Sequence, residues 1–226
     1  MILLLAATLA AAAPSCANVV TPEALVCRAL EAQQSGDSAA AAQAFEQAAI
    51  AADDKDGAAA RMFAAAGNLW IAAGQPGKAA FALDRALALP GLEAEQRGEA
   101  LLDRSRAAAA QGDLKLARAK LNEASATIAG DPFYWYFSAG LAIREGDKAT
   151  AESAINKALR LAPGDATLLF EAGHVADFLG KEADARSYWM RAAAADPNGE
   201  TGKAARKAVE MLGLTPTVKN EAPATK

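Results

Sequence analysis

Residues 146–163 read Gly-Asp-Lys-Ala-Thr-Ala-Glu-Ser-Ala-Ile-Asn-Lys-Ala-Leu-Arg-Leu-Ala-Pro. The glycine allows a left-handed turn, the aspartate after it can cap a helix, and the proline stops that helix. Alanine stands five and twelve residues after the glycine, with an isoleucine at nine. This spacing predicts a helix that approaches its neighbours closely through two small positions on one face.

The same pattern occurs five times along the chain. The glycines are Gly36, Gly74, Gly112, Gly146 and Gly180. The alanines five residues later are Ala41, Ala79, Ala117, Ala151 and Ala185. The alanines twelve residues later are Ala48, Ala86, Ala124, Ala158 and Ala192. The bulky residues between them are Phe45, Leu83, Leu121, Ile155 and Trp189, and the small residues seven before each glycine are Ala29, Gly67, Ser105, Ala139 and Gly173.

These columns predict a helical hairpin repeated five times, because each glycine separates two helix-length segments. The predicted helix pairs are 22–35 with 38–53, 58–73 with 76–89, 93–111 with 114–129, 132–145 with 148–161, and 165–179 with 182–195. A last helix over 199–212 would shield the final pair. Asp37, Asp113 and Asp147 are expected to cap second helices.

The composition agrees with an all-helical chain. Of 226 residues, 64 are alanine and only 12 are valine or isoleucine. Alanine is the best helix former and β-branched residues favour sheets, so a sheet protein is disfavoured. The net charge is −4, and no run of four basic residues occurs, so nucleic acid is not an expected partner.

The repeat resembles that of the tetratricopeptide repeat family, whose unit has about 34 residues and this Gly, Ala, bulky, Ala, Pro pattern. The resemblance covers about residues 22–197. It implies an all-α fold, a right-handed superhelical solenoid of about five hairpins with a C-terminal capping helix. We therefore expect a solenoid domain over 22–212 and a disordered tail over 213–226, where no apolar period is present.

The N-terminus carries a run of apolar residues over positions 2–13. It is too short for a membrane span of about 20 residues and suits the core of a secretory signal. Ser15-Cys16-Ala17 supplies the small residues that a signal peptidase reads, although no Lys or Arg precedes Arg28. We expect a signal peptide over 1–17 and a periplasmic or secreted protein, the alternative being a buried N-terminal helix or a misassigned start.

Two cysteines near the N-terminus fit neither a disulfide framework nor a four-ligand zinc site. Cys16 is a candidate for lipidation, which would anchor the chain to the outer membrane, but it is lost if cleavage follows Ala17. A Cys16–Cys27 cross-link requires that Cys16 survive processing. Cys27 alone is expected to pack as a small buried apolar side chain.

No catalytic, cofactor or metal motif is recognised in the sequence. Gly74-Gln75-Pro76-Gly77-Lys78 has the wrong spacing for a phosphate loop and is read as a turn. Asp53-Asp54-Lys55-Asp56-Gly57 lacks the bidentate glutamate of a calcium loop. His174 is the sole histidine, so a histidine-based metal site or triad would lack partners.

Five consecutive aromatics, Phe133-Tyr134-Trp135-Tyr136-Phe137, cannot all face one core because successive helix positions turn by about 100°. They either fill spaces between alanine-rich helices or form a binding surface. The resemblance implies a concave groove lined by the first helix of each repeat, aromatic at its C-terminal end and moderately basic in the middle. The implied groove residues are Arg61, Asn68, Arg106, Phe133, Tyr136, Arg144, Phe170, His174, Asp177 and Phe178.

The sites of the family's carboxylate clamp hold Ala64, Asp103, Phe133 and Phe137 here, so a receptor for acidic chaperone tails is disfavoured. The leading interpretation is an exported, non-catalytic scaffold that binds a protein or peptide, without a cofactor and with membrane contact only through its signal segment or a lipid. The alternative is an outer-membrane-tethered lipoprotein with a structural role. An enzyme is a weaker third interpretation, and the sequence names neither the partner nor the oligomeric state.

Overall fold

A computed structural model of the chain describes residues 16–52 and 57–214, which contain eleven α-helices and no strand. The helices are α1 (Pro22–Gln34), α2 (Ser38–Ala51), α3 (Ala58–Ala72), α4 (Pro76–Ala88), α5 (Ala94–Ala110), α6 (Leu114–Ile128), α7 (Pro132–Glu145), α8 (Lys148–Leu161), α9 (Ala166–Phe178), α10 (Glu182–Ala195) and α11 (Glu200–Leu214). The predicted all-α class is confirmed, with every helix end within two residues of its predicted position. Residues 53–56, most of the predicted signal peptide and the tail after Leu214 lie outside the described residues.

The turns inside the hairpins adopt the backbone conformations and helix caps that their glycine and aspartate residues favour. All five repeat glycines have positive φ, from 68° at Gly74 to 86° at Gly112. The side chains of Asp37, Asp113 and Asp147 each accept a hydrogen bond from a backbone N–H in the first turn of the following helix. Local chemistry therefore sets where one helix ends and the next begins.

The alanine columns are the contact positions of the second helices. All ten of these alanines are fully buried at 0% exposure. Four of the five bulky residues between them are also buried, and Phe45 is half-buried. The helices can approach one another closely because their facing side chains are methyl groups, so the core is broad and made of small side chains.

The chain forms two compact units, with the boundary between Leu92 and Glu93. In the first unit α1 to α4 pack consecutively. The loops that flank its second hairpin touch at Gly57 and Gly91, where an added Cβ on either glycine would collide with the backbone of the other. In the second unit α5 to α11 pack consecutively, and α9 also packs on α7 and α11.

An arginine joins the hairpins of the second unit. Arg118 on α6 donates from Nε to Glu145 at 3.1 Å and from Nη1 to the Ser138 hydroxyl at 3.0 Å, both on α7. Ser138 is 4% exposed, so its hydroxyl depends on this contact. The network fixes how α6 and α7 face each other.

At the N-terminal end of the described chain, Cys16 and Cys27 form a disulfide. Cys27 is half-buried and cross-linked, so the expectation that it packs as a free buried side chain is wrong: the sulfur of Cys16 reaches it. This bond and a lipid on Cys16 exclude each other, because both need the same sulfur atom. None of the helices described is long and apolar enough for a membrane span.

Candidate functional site

The aromatic run on α7 divides between core and surface. Tyr134 is 4% exposed and packs inward, whereas Phe133 is 40% exposed. Trp135 is half-buried and donates its indole N–H to the Ala129 carbonyl at 2.7 Å. Tyr136 is half-buried and contacts the core shared by α7, α8 and α9. The aromatic run therefore contributes both to the core and to the surface, and Phe133 is its main exposed residue.

Phe133 belongs to a stacked group that bridges α5 and α7. Its ring stacks on Tyr136 with centroids 5.4 Å apart. The Arg106 guanidinium lies 5.6 Å from the Phe133 ring centre and forms a 2.7 Å ion pair with Asp103. The group thus presents an exposed aromatic face, and the positive charge of Arg106 beside it is already balanced by Asp103.

A second aromatic pair lies on α9. The Phe170 and His174 rings meet edge to face at 4.4 Å, and His174 lies 5.7 Å from Trp189 of α10. The Trp189 indole N–H donates to the Phe170 carbonyl at 3.1 Å, and His174 Nδ1 lies 3.4 Å from a carboxylate oxygen of Glu171. These contacts with Trp189 and Glu171 fix the positions of Phe170 and His174. We call Phe133, Tyr136, Phe170 and His174 the aromatic strip.

Several carboxylates lie beside the strip on its α5 side. The pKa of Glu99 is raised above its usual 4.5, first by burial and then by the carboxylates of Glu95, Asp103 and Asp131. A cation placed near Glu99 would relieve this repulsion. Burial likewise raises the pKa of Tyr136, with a further increase from Glu171 and an opposing effect of Arg106, so the phenol stays neutral and able to donate a hydrogen bond.

The other groove residues expected in this unit have different surroundings. Arg144 donates from Nη2 to the Ala109 carbonyl at 2.8 Å, which ties α7 to α5. Asp177 is exposed on α9. Phe178 is half-buried against the core, with the Lys148 ammonium 5.6 Å from its ring centre. Arg144 and Phe178 thus have clear structural contacts of their own.

Arg61 and Asn68 lie on α3 in the first unit and are exposed. Arg61 donates to the Gly91 carbonyl at 3.3 Å, across the close contact between the two loops of that unit. These two residues are therefore described apart from the strip.

Sequence reasoning missed the carboxylates of this surface. Glu171 lies over Gly140, where an added Cβ would be 3.1 Å from its Oε1. The signal available was Gly140 itself, since a glycine within an inner helix leaves room for a side chain from the next hairpin. Glu99 had a weaker signal in its spacing of four from Glu95 and Asp103, which places three carboxylates on one helix face.

Among the described residues, one group brings three potential metal-ligand side chains together, although two of them are joined in the disulfide. It consists of Cys16, Cys27 and Glu31, whose ligand atoms lie within 4.8 Å of one another. The strip itself offers aromatic faces and a phenol, and Glu99 and Glu171 beside it offer carboxylate oxygens. This is the chemistry of binding an apolar or cationic group.

Comparisons with known proteins agree with the architecture. Residues 87–175 match the family model for the tetratricopeptide repeat. No curated protein matches the sequence significantly.

Solved structures with the same fold share little sequence with the chain. One is PilW, a widely conserved type IV pilus biogenesis factor, with TM-score 0.68, 23% identity and coverage of 81% of each chain. Another is MamA, with TM-score 0.61, 17% identity and coverage of 78% of this chain and 92% of MamA.

A third is YrrB, a tetratricopeptide repeat protein with an unusual peptide-binding site. Its TM-score is 0.58 at 17% identity, and the match covers 81% of this chain and 91% of YrrB. Residues 87–175 thus match the tetratricopeptide repeat model, and the described chain shares the helical-hairpin fold of these structures.

Proposed function

We propose that the chain is a non-catalytic scaffold that binds a segment of another protein on the aromatic strip of its second unit. The observation that carries the proposal is Phe133: an aromatic ring left 40% exposed, stacked on Tyr136 and faced by Arg106. Rigid aromatics supply large contact area at low entropic cost, which is why they dominate binding energy in protein interfaces.

The charges around the strip favour a partner segment that carries a basic side chain beside apolar ones. Arg106 and Arg144 are engaged with Asp103 and the Ala109 carbonyl. The pKa of Glu99 is raised first by burial and then by the neighbouring carboxylates. A cationic side chain of the partner would be attracted to Glu99 and its neighbouring carboxylates. The affinity of the partner would fall as added salt screens that attraction.

The fold neighbours are compatible with this role. YrrB is described as having a peptide-binding site and PilW as a pilus biogenesis factor. Their identities of 17% and 23% transfer the fold and leave the partner open.

We further propose that the protein works outside the cytoplasm, in a bacterial envelope. The apolar run over residues 2–13 supports this, and so does the Cys16–Cys27 disulfide, since disulfides persist in oxidising compartments. A lipid on Cys16, the alternative function of a tethered lipoprotein, requires that this sulfur be free. Intact-mass analysis of the mature chain distinguishes a diacylglyceryl group on Cys16, a disulfide, and a terminus beyond Ala17.

The binding role is tested with peptides selected from a random display library on the immobilised full chain, followed by affinity measurement in solution. Phe133→Ala is compared with Phe81→Ala, a matched control. Phe81 is an exposed phenylalanine in the first unit, 60% accessible, with the Arg85 guanidinium 6.0 Å from its ring.

The expected result is a loss of at least about tenfold in affinity for Phe133→Ala, the size of a typical aromatic anchor. A second variant, Phe133→Ala with Phe170→Ala, should lose more, whereas Phe81→Ala should stay within about twofold. Equal affinities for the strip variants and the control would place the binding site elsewhere and refute the proposal.

A further inference from the structure

The disulfide region contains an arrangement that the binding role leaves unexplained. Cys16 lies on a short segment before α1, its sulfur is bonded to Cys27, and its backbone N–H donates to Glu31 Oε1 at 3.1 Å. The two sulfurs and the Glu31 carboxylate therefore converge within 4.8 Å. Cys27 and Glu31 are four residues apart, which places both on one face of α1.

The segment is held against α1 by more than the disulfide. The Arg28 guanidinium donates from Nη1 to the Ala17 carbonyl at 2.7 Å and from Nη2 to the Val19 carbonyl at 3.0 Å. Because Arg28 follows Cys27 directly, it fixes the segment next to the sulfur. Breaking the sulfur–sulfur bond would leave these contacts in place, so Cys16 would stay close to its partners.

We propose that the dithiol form of the chain binds one zinc-class divalent cation through the thiolates of Cys16 and Cys27 and the carboxylate of Glu31, with water as the fourth ligand. Two thiolates on a tetrahedral zinc lie about 3.8 Å apart, a separation that the 5.7 Å between the two Cα atoms accommodates. Two soft sulfurs with one oxygen favour Zn²⁺ over Mg²⁺ or Ca²⁺. This proposal is independent of the binding role of the strip.

The metal-bound and disulfide forms exclude each other. A newly made chain carries two thiols, and exchange with a disulfide oxidant, which takes up the two electrons and two protons as a dithiol, forms the bond. In the reverse direction, a phosphine reductant supplies two electrons, takes an oxygen atom from water to become its oxide, and leaves one proton on each sulfur. Binding of the cation then displaces both thiol protons into solution.

All three side chains are accessible for this exchange. Cys16 and Cys27 are half-buried, and Glu31 is exposed. Water and a cation can therefore reach the site without unfolding of α1. The chain has two cysteines in all, so any thiolate–metal signal reports on this pair.

The test uses the purified full chain, with intact mass confirming that Cys16 is present. Zn²⁺ is titrated against a chromophoric chelator after phosphine reduction, and separately with the oxidised chain. Co²⁺ is added to the reduced chain to read thiolate charge-transfer absorbance. The variants are Cys16→Ser, Glu31→Gln and the control Glu23→Gln, which removes an exposed carboxylate from the same helix.

The reduced chain is expected to bind one Zn²⁺ per monomer at least about a hundredfold more tightly than the oxidised chain, because both thiolates are available only after reduction. Cys16→Ser should lose this binding, Glu31→Gln should weaken it about tenfold or more, and Glu23→Gln should leave it unchanged. Circular dichroism of reduced wild type and Cys16→Ser, neither of which has the disulfide, checks that α1 remains folded in both.

Three results would overturn the site. They are equal Zn²⁺ affinity for reduced and oxidised chains, equal affinity for Glu31→Gln and Glu23→Gln, and binding that occurs only with dimerisation in light scattering. The last would mean that the cation bridges two chains. Loss of peptide binding by Phe133→Ala bears on none of these readouts, so the two proposals fail separately.

Discussion

Gly173→Ala is the substitution whose outcome the structure constrains most closely. Gly173 lies within α9, where the indole of Trp189 crosses from α10. An added Cβ would collide with Nε1 and Cδ1 of that indole and lie 2.6 Å from Cε2, whereas real Cβ atoms essentially never approach within 3.0 Å. Trp189 is 4% exposed and donates to the Phe170 carbonyl, so it has no open space to enter.

The magnitude follows from three contributions. Overpacking a core costs about 1–3 kcal/mol, and disturbing the indole hydrogen bond costs about 1 kcal/mol more. Replacing glycine by alanine within a helix recovers about 1 kcal/mol. The net expectation for Gly173→Ala is a free energy of unfolding lowered by about 1–3 kcal/mol.

Gly140→Ala is the matched control, since it makes the same change within α7. Its Cβ would meet only the end of the Glu171 side chain at 3.1 Å, which can move by a few tenths of an ångström. Gly140→Ala should therefore raise stability by up to about 1 kcal/mol.

Urea unfolding followed by both circular dichroism and tryptophan fluorescence measures the difference, and the two probes reveal whether repeats unfold separately. The expected gap between the variants is about 1–4 kcal/mol. Equal midpoints for Gly173→Ala and Gly140→Ala would refute the packing of α9 on α10 described above.

The remaining predictions concern the alanine columns, the carboxylates and the arginine network. Ala151→Leu at a fully buried position of α8 should lower the free energy of unfolding by about 1–3 kcal/mol or more, whereas Ala149→Leu on the exposed side of the same helix should be nearly neutral in urea unfolding. Glu99→Gln should stabilise the chain at pH 7. The pKa of this carboxyl is raised in the folded state, so its charged form lowers stability above that pKa. The advantage of the variant should vanish by about pH 3. Arg118→Met should cost about 1–3 kcal/mol, and a double-mutant cycle with Glu145→Gln should give a nonzero coupling energy that shrinks in high salt.

The sequence predicted the hairpins well because their determinants are local. Gly146 adopts φ of 76° and Asp147 caps the next helix, as their residue types require. The burial of Ala151 and Ala158 at 0% follows from helical spacing alone once the turn is fixed. Each of these features depends on residues that lie within about four helical turns in the same hairpin.

The character of the binding surface was harder to read. The family resemblance placed Arg106 and Arg144 in the groove and led to the expectation of a moderately basic middle. The structure shows Arg106 paired with Asp103 and Arg144 bonded to the Ala109 carbonyl. The Arg106–Asp103 pair lies three residues apart on α5, whereas the Arg144 contact depends on how one hairpin packs on another.

The disulfide was hard to predict for a different reason. Two cysteines eleven residues apart allow a cross-link, a lipid or removal of Cys16, and the spacing does not choose among them. The choice depends on Arg28, which binds the Ala17 and Val19 carbonyls and so turns the segment back onto α1. An arginine within a helix has no such meaning in a sequence read alone.

The alanine-rich core also decides which strip residue can test binding cleanly. Small core side chains leave gaps that large residues must fill, so most aromatics contribute to stability. Tyr136 contacts the core of α7, α8 and α9, and Phe170 packs on the core of α9, α10 and α11. Replacing either residue would change both the fold and the surface. Phe133 is different, because its ring contacts Tyr136 and Arg106 and 40% of it is exposed. Removing it should cost little stability, so an affinity loss in Phe133→Ala at unchanged unfolding midpoint would report on the binding surface itself.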